Sequence, residues 1–151
     1  MPVALPSLGT AVAAAERTLR RFPLALVAAA LAATGAVLGI QDVGPDWSHE
    51  RLMASASLGI ALFTALRLIG ERQRRPDLAT ALLSVGGTAL LVGFFLGWPS
   101  WSDATRGGSY LQLSVIFHLL VVTGPFIGRR LPNAFWQYNR VLLERGILAA
   151  A

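Results

Sequence analysis

Four long apolar runs divide the chain, separated by short polar and charged stretches. They are Phe22–Ile40, Leu52–Gly70, Leu78–Trp98 and Tyr110–Gly128. Each holds about 19 to 21 residues, roughly 28 to 31 Å as helix, which matches the hydrocarbon thickness of a bilayer. The first and third runs carry no charge, and the second has only Arg67, near its end. Four such runs in succession predict spanning helices rather than the core of a soluble domain. The fold class expected is all-α: a four-helix transmembrane bundle within a single membrane domain over residues 1–151.

Shorter helices are expected at both ends, at about 7–21 and 133–149. At the first, Ser7 can act as cap. Leu8, Ala11, Val12, Ala15 and Leu19 line one face, and Glu16, Arg17 and Arg20 the other. This reads either as a lead-in to span one or as a helix lying in the interface. The run after Arg21 is longer than a cleavable signal core, so span one is expected to remain as an anchor. Pro132 breaks the chain after span four. The helix that follows places Leu131, Ala134, Phe135, Tyr138, Val141, Leu142 and Leu148 on one stripe. The eleven residues Val141–Ala151 reach only about 16 Å and are interrupted by Glu144 and Arg145, so they cannot span.

Charge sets the threading. All 13 basic residues are Arg, and the net charge is +5. They flank apolar spans and form no separate basic domain, so nucleic acid is not the expected partner. Eleven of them fall on one side: Arg17, Arg20, Arg21, Arg67, Arg72, Arg74, Arg75, Arg129, Arg130, Arg140 and Arg145. The first and third connections hold only Arg51 and Arg106, together with Asp42, Asp46, Glu50 and Asp103. The Arg-rich side is expected to be cytoplasmic, with both termini inside. Trp47, Trp98, Trp101 and Tyr110 fall at the expected outer boundary, and Trp136 and Tyr138 at the inner one, where amphipathic rings prefer to sit. The absence of Cys excludes disulfides and thiolate chemistry.

The stretch His118–Arg140 carries a Pro125-Phe126 turn followed by the box Phe135-Trp136-Gln137-Tyr138-Asn139. With Arg20-Arg21-Phe22-Pro23 and Glu50-Arg51-Leu52, it resembles the N-terminal part of a family of bacterial multi-pass inner-membrane proteins of unknown function marked by an FWxYN box. The resemblance implies a fold of several spans and a place in the bacterial cytoplasmic membrane. It supplies no catalytic residues. Members of that family are usually longer, and the helix after the box continues in them as a further span.

Candidate sites are few. His118 lies near the middle of span four, where a polar group is costly. Its imidazole could be packed by hydrogen bonding to Ser57, Ser84 or Thr88, could ligate a haem or bacteriochlorophyll metal, or could relay protons. Gly35-x-x-x-Gly39, Ser55-x-x-x-Gly59 and Gly93-x-x-x-Gly97 are small-residue notches that admit another backbone, from this chain or from a partner subunit. Thr123-Gly124-Pro125 is expected to kink span four. Arg67 and Glu71, four apart, read as a snorkelling Arg beside an acid. Asp42, Asp46, His49 and Glu50 match no metal template and read as a solvated acidic loop. No phosphate loop or nucleophile triad is present in the sequence.

These features point to a non-enzymatic accessory subunit that docks in a larger bacterial membrane complex, with photosynthetic and respiratory assemblies first among hosts. No cofactor is required by this reading, and bound lipid is compatible with it. Its expected contacts with other integral-membrane subunits are Gly35, Gly39, Gly93, Gly97, Phe135, Trp136, Tyr138 and Asn139. Membrane lipid is expected at Arg129, Arg130 and Arg140. The alternative is a cofactor- or pigment-binding or transport module centred on His118. The threading is open to direct test in this Cys-free background. Cys introduced at Ser102 should react with an impermeant maleimide from outside intact cells, and Cys at Gln73 only after permeabilisation; the reverse pattern would invert the topology.

Overall fold

The computed structural model describes residues 8–41, 46–73, 77–127 and 132–150. The described residues form six α-helices and no strand: α1 Leu8–Arg21, α2 Pro23–Ile40, α3 Asp46–Gln73, α4 Asp77–Gly97, α5 Asp103–Thr123 and α6 Pro132–Ala150. Single 3₁₀ turns follow α4 at Trp98–Ser100 and α5 at Gly124–Phe126. Helices α2, α3, α4 and α5 are long and apolar enough to cross a membrane. Ser7, Asp42, Leu131 and the end of the fourth expected span lie outside the described residues, as do Arg74, Arg75, Arg129 and Arg130.

Local chemistry sets the helix boundaries. Pro23 opens α2 at a position where a missing N–H costs nothing. Ser102 caps α5, its hydroxyl accepting the Thr105 N–H at 3.3 Å, and Asp103 adds charge to the first turn. Because of this cap, α5 starts seven residues before the Tyr110 expected from hydropathy. Span four does not kink at Pro125. Helix α5 stops at Thr123, and Pro125 is fully buried in the turn beyond it. Helix α3 is longer than the apolar run inside it, extending to Asp46 and Gln73 through residues too polar for a hydropathy threshold.

Helix α3 is the axis of the molecule. Half of its spanning segment is buried, against 11–17% for the other three spans. Helices α2, α4 and α5 each lie along it, and contacts among those three are slight by comparison. The chain reverses between successive spans, so α2 and α4 run antiparallel to α3 and α5 runs parallel. The shared core is Ala54, Leu58, Ala61, Leu62 and Leu66 from α3, with Leu91 and Phe94 from α4, Phe117 from α5, and Trp98.

The contacts with α3 occur where side chains are missing. A Cβ on Gly35 would stand 2.8 Å from the Met53 backbone nitrogen, and one on Gly39 would stand 2.9 Å from the His49 ring. A Cβ on Gly59 would meet Ala28 of α2 at 3.1 Å and Leu91 of α4 at 3.2 Å. Gly87 receives Leu62 and Leu66, and Gly124 receives Ile69. The Gly35 and Gly39 notch is therefore filled by α3 of the same chain and does not face outward to a partner. Gly97 is likewise closed, by the Trp101 ring. Of the four glycines expected at a partner interface, Gly93 alone has nothing within 4 Å of an added Cβ among the described residues.

At the end opposite the Arg-rich one, Phe94 packs edge-on against both Trp98 and Trp101 at 5.4 Å. Trp98 is only 7% exposed, so it caps the core and does not sit in an interfacial belt. Arg106 folds back so that its Nε donates at 3.0 Å to the Trp98 carbonyl in the turn after α4, which also accepts the Trp101 N–H at 3.3 Å. The glycine contacts yield a stability test. Gly35→Ala should destabilise the protein by about 1–3 kcal/mol, because the neighbour it strikes is backbone. Gly93→Ala should be neutral or stabilising by up to about 1 kcal/mol. Unfolding both variants in the same detergent or bicelle measures the difference.

Candidate functional site

The described polar groups concentrate at the Arg-rich end. Arg21, the last residue of α1, reaches Glu71 on the last turns of α3. Its Nη2 donates to Oε2 at 2.7 Å, and its Nε is 3.1 and 3.2 Å from the two oxygens. Arg67 donates its Nε to the same carboxylate at 3.0 Å. One acid thus orients two guanidiniums, one from its own helix and one from fifty residues away. Hydrogen bonding to Glu71 holds the Arg21 guanidinium above its ordinary pKa despite the opposing cost of burial. The Arg67–Glu71 pair was legible in the sequence; the Arg21 contact, an ion pair that links α1 to α3, had no local signal.

Next to this pair lies the turn at Pro125. Proline cannot tolerate the carbonyl four residues before it in a continuing helix and offers no N–H to it. That carbonyl, on Val121, accepts a hydrogen bond from the Tyr138 hydroxyl of α6 at 3.3 Å. Phe126, in the same turn, packs edge-on against Phe135 at 5.5 Å and Tyr138 at 5.3 Å. Arg72 lies over the Phe126 ring, 5.5 Å from its centre. Burial raises the pKa of the Tyr138 phenol, and the charge of Arg21 offsets part of that rise. Gln73 Nε2 reaches the Gly124 and Ile127 carbonyls at 3.5 and 3.4 Å, tying the end of α3 to the turn.

The FWQYN box therefore divides by role. Phe135 and Tyr138 face inward and close the Pro125 turn. Asn139 donates to the Phe135 carbonyl at 3.1 Å on its own helix, and its buried Oδ1 has no partner among the described residues. Trp136 is 70% exposed. Of the four box residues expected to contact a partner, Phe135, Tyr138 and Asn139 are spent at least in part on other groups of the chain, whereas Trp136 meets the neighbouring Phe135 ring edge-on at 5.5 Å and stays largely exposed. A cavity of about 510 Å³ lies between α3, the turn and α6, lined by Arg21, Glu71, Arg72, Phe126, Gln137 and Tyr138. Arg140 is outside it, exposed and paired with Glu144 at 2.7 Å.

His118 sits elsewhere, on the exposed side of α5. Its Nδ1 is 2.7 Å from the Ser114 carbonyl of its own helix. A carbonyl can only accept, so Nδ1 is the donor in this contact, and Nε2 makes no hydrogen bond among the described residues. Ser84 and Thr88 are not its partners: both hydroxyls donate to carbonyls within α4. His118 instead borders a groove of about 410 Å³ between α3 and α5 that also holds Ser57, Thr64, Tyr110 and Ser114. The Ser57 and Tyr110 hydroxyls are 3.2 Å apart across it. The His49 ring packs on Gly39; Asp42 and the Asp46 side chain of the expected acidic loop lie outside the described residues. No group of three or more His, Asp or Glu side chains assembles among the described residues.

Comparison of the chain with protein-family models, with curated proteins and with solved structures finds no match. The likeness to the FWxYN family thus rests on the quoted residues alone. The Arg21–Glu71 link is measurable by a double-mutant cycle. Arg21→Gln and Glu71→Gln should couple by about 1 kcal/mol, as a geometrically good, partly shielded pair does. The Arg20–Glu16 pair, with side chains 81% and 60% exposed, should couple by less than about 0.5 kcal/mol in the same unfolding assay.

Proposed function

We propose that this chain is a non-catalytic accessory subunit of a larger membrane complex and docks through α6 at its Arg-rich end. The reading places that end, and both termini, on the cytoplasmic side of a bacterial inner membrane, in keeping with the distribution of Arg. The observation that carries it is the division of labour in α6. Phe135 and Tyr138 attach the first turns of the helix to the Pro125 turn. This leaves Trp136, 70% exposed, and Leu143, 67% exposed, uncovered by the rest of the chain. An unburied Trp beside the anchored first turns of a helix has the features of an interaction hot spot, since truncating such a ring removes a large buried area when a partner covers it. Other membrane subunits are the natural partners, and photosynthetic and respiratory assemblies are the hosts to examine first. Gly93 remains a candidate contact within the membrane.

A second reading is favoured by one observation. His118 donates from Nδ1 to its own helix, and its Nε2 has no partner among the described residues beside a polar groove. That is the arrangement in which a histidine ligates a haem iron or a bacteriochlorophyll magnesium. An absorption spectrum of protein purified in mild detergent separates the two readings: pigment or haem bands lost in His118→Ala would favour the cofactor module.

The accessory-subunit reading is tested by co-purification. Trp136→Ala should reduce recovery of partner subunits at least tenfold, the effect of truncating a residue worth about 1.4 kcal/mol or more. Membrane insertion and yield should not change. Tyr138→Phe, which frees the Val121 carbonyl and loosens α6, should cause a smaller loss. Unchanged recovery with Trp136→Ala would overturn docking through α6.

A further inference from the structure

Helices α2 and α4 both lie on α3 but make no extended contact with each other, and a long cleft runs between them. Its apolar part, about 370 Å³, has Val27 and Leu31 of α2 on one wall and Val92 and Phe95 of α4 on the other. Ser55, Ala56 and Gly59 of α3 form its floor, where small side chains leave the depth. Toward the Arg-rich end the cleft continues into a second cavity of about 390 Å³; Leu24 and Phe63 line both. The character of the lining changes there. Arg20, Arg21 and Arg67 converge on it with Thr80 and Ser84, and no carboxylate lines it among the described residues.

Glu71 approaches the arginines from the far side. It takes Arg67 Nε and the Nε and Nη2 of Arg21. The terminal nitrogens of Arg67 make no hydrogen bond among the described residues, so they are oriented without being consumed. Arg20 gives Nη2 to Glu16, outside the cavity. From Arg67 to Ser55 is twelve residues of α3, about 18 Å, close to one leaflet of a ~30 Å hydrocarbon layer. A basic mouth at the membrane boundary that opens into an apolar slot one leaflet deep is complementary to one kind of molecule.

We propose that this cleft holds a single anionic phospholipid of the surrounding membrane, its phosphate on Arg67, Arg20 and Arg21 and one acyl chain between α2 and α4. The mouth has the charge for the headgroup and the slot has the shape for the chain, so neither a free phosphate nor an uncharged lipid meets both halves. A bound chain also supplies the packing that α2 and α4 do not give each other. This site is distinct from the one expected at Arg129, Arg130 and Arg140.

The test is native mass spectrometry of the full chain released from micelles, titrated with phosphatidylglycerol or with phosphatidylcholine of the same acyl chains. One phosphatidylglycerol should bind at least tenfold more tightly than phosphatidylcholine. Arg67→Gln and Arg20→Gln should each weaken it about fivefold, the contribution of one Arg near an anionic headgroup. Arg20 is exposed and remote from the core, so its variant stays informative if Arg67→Gln fails to fold. Arg17→Gln, outside the cleft, should have no effect. Val92→Trp, which fills the slot from an exposed position, should lower retention of the lipid at least fivefold. Equal affinity for the two lipids, or indifference to both Arg67→Gln and Arg20→Gln, would overturn the proposal. So would displacement of the lipid by millimolar glycerol phosphate, which would make the site one for soluble phosphates. A photo-crosslink from position 92 to a co-purifying protein in place of lipid would identify the occupant as a partner helix and would also overturn it.

Discussion

Lipid tails are as apolar as the side chains of a spanning helix, so transfer from water gives such helices no reason to meet. What holds them together is close backbone approach, and in this chain that approach converges on α3. Gly35 and Gly39 bring α2 onto the start of α3, Gly59 sits where α2, α3 and α4 meet, Gly87 admits Leu62 and Leu66, and Gly124 admits Ile69. Everything else is arranged around that axis. The outer helices keep broad apolar faces for lipid, and α2 and α4, each committed to α3, leave a cleft between them.

The ends of the spans are held by different chemistry. At one end Arg106 and Trp98 close α4 from within the chain. At the other, Pro125 ends α5 and frees the Val121 carbonyl, which would be an orphan at the edge of the hydrocarbon. Tyr138 answers it, and Phe126 provides the surface on which α6 rests. The turn and the box, thirteen residues apart from Pro125 to Tyr138, are two halves of one bracket. Glu71 adds a second bracket by joining α1 to α3. The functional readings draw on these contacts: a helix attached at its first turns can present Trp136 outward, and arginines oriented by Glu71 can present their remaining nitrogens to a cavity.

Span number, approximate span length and the two flanking helices were legible in the sequence, because hydropathy over 20 residues reports the thickness a segment must cross. Direction around each helix was not. A small-residue notch such as Gly35-x-x-x-Gly39 reveals a groove but not whether the chain's own α3 or a partner fills it. Trp98 is amphipathic and lies near a boundary in the sequence, yet it turns inward because Phe94 and Arg106 build a pocket for it. The cap at Ser102 outweighed polarity and moved the start of α5. The Arg21–Glu71 contact and the cleft between α2 and α4 depend on residues far apart in the chain, so no local pattern could announce them. The candidate site was legible as a list of residues at the Arg-rich end and the FWQYN box, but its inward and outward halves could be separated only in three dimensions.

The central claim is that α3 is the common axis and that α2 and α4 stand apart on it. Disulfide formation between introduced Cys pairs, in native membranes with copper phenanthroline as oxidant, tests it most directly. Cys at Ala28 and Gly59 should cross-link α2 to α3, and Cys at Leu62 and Gly87 should cross-link α3 to α4, each rapidly and in high yield. Cys at Val27 and Val92, on opposite walls of the cleft, should remain reduced under the same conditions. Efficient bridging of Val27 to Val92, with failure of the two pairs through α3, would contradict the account.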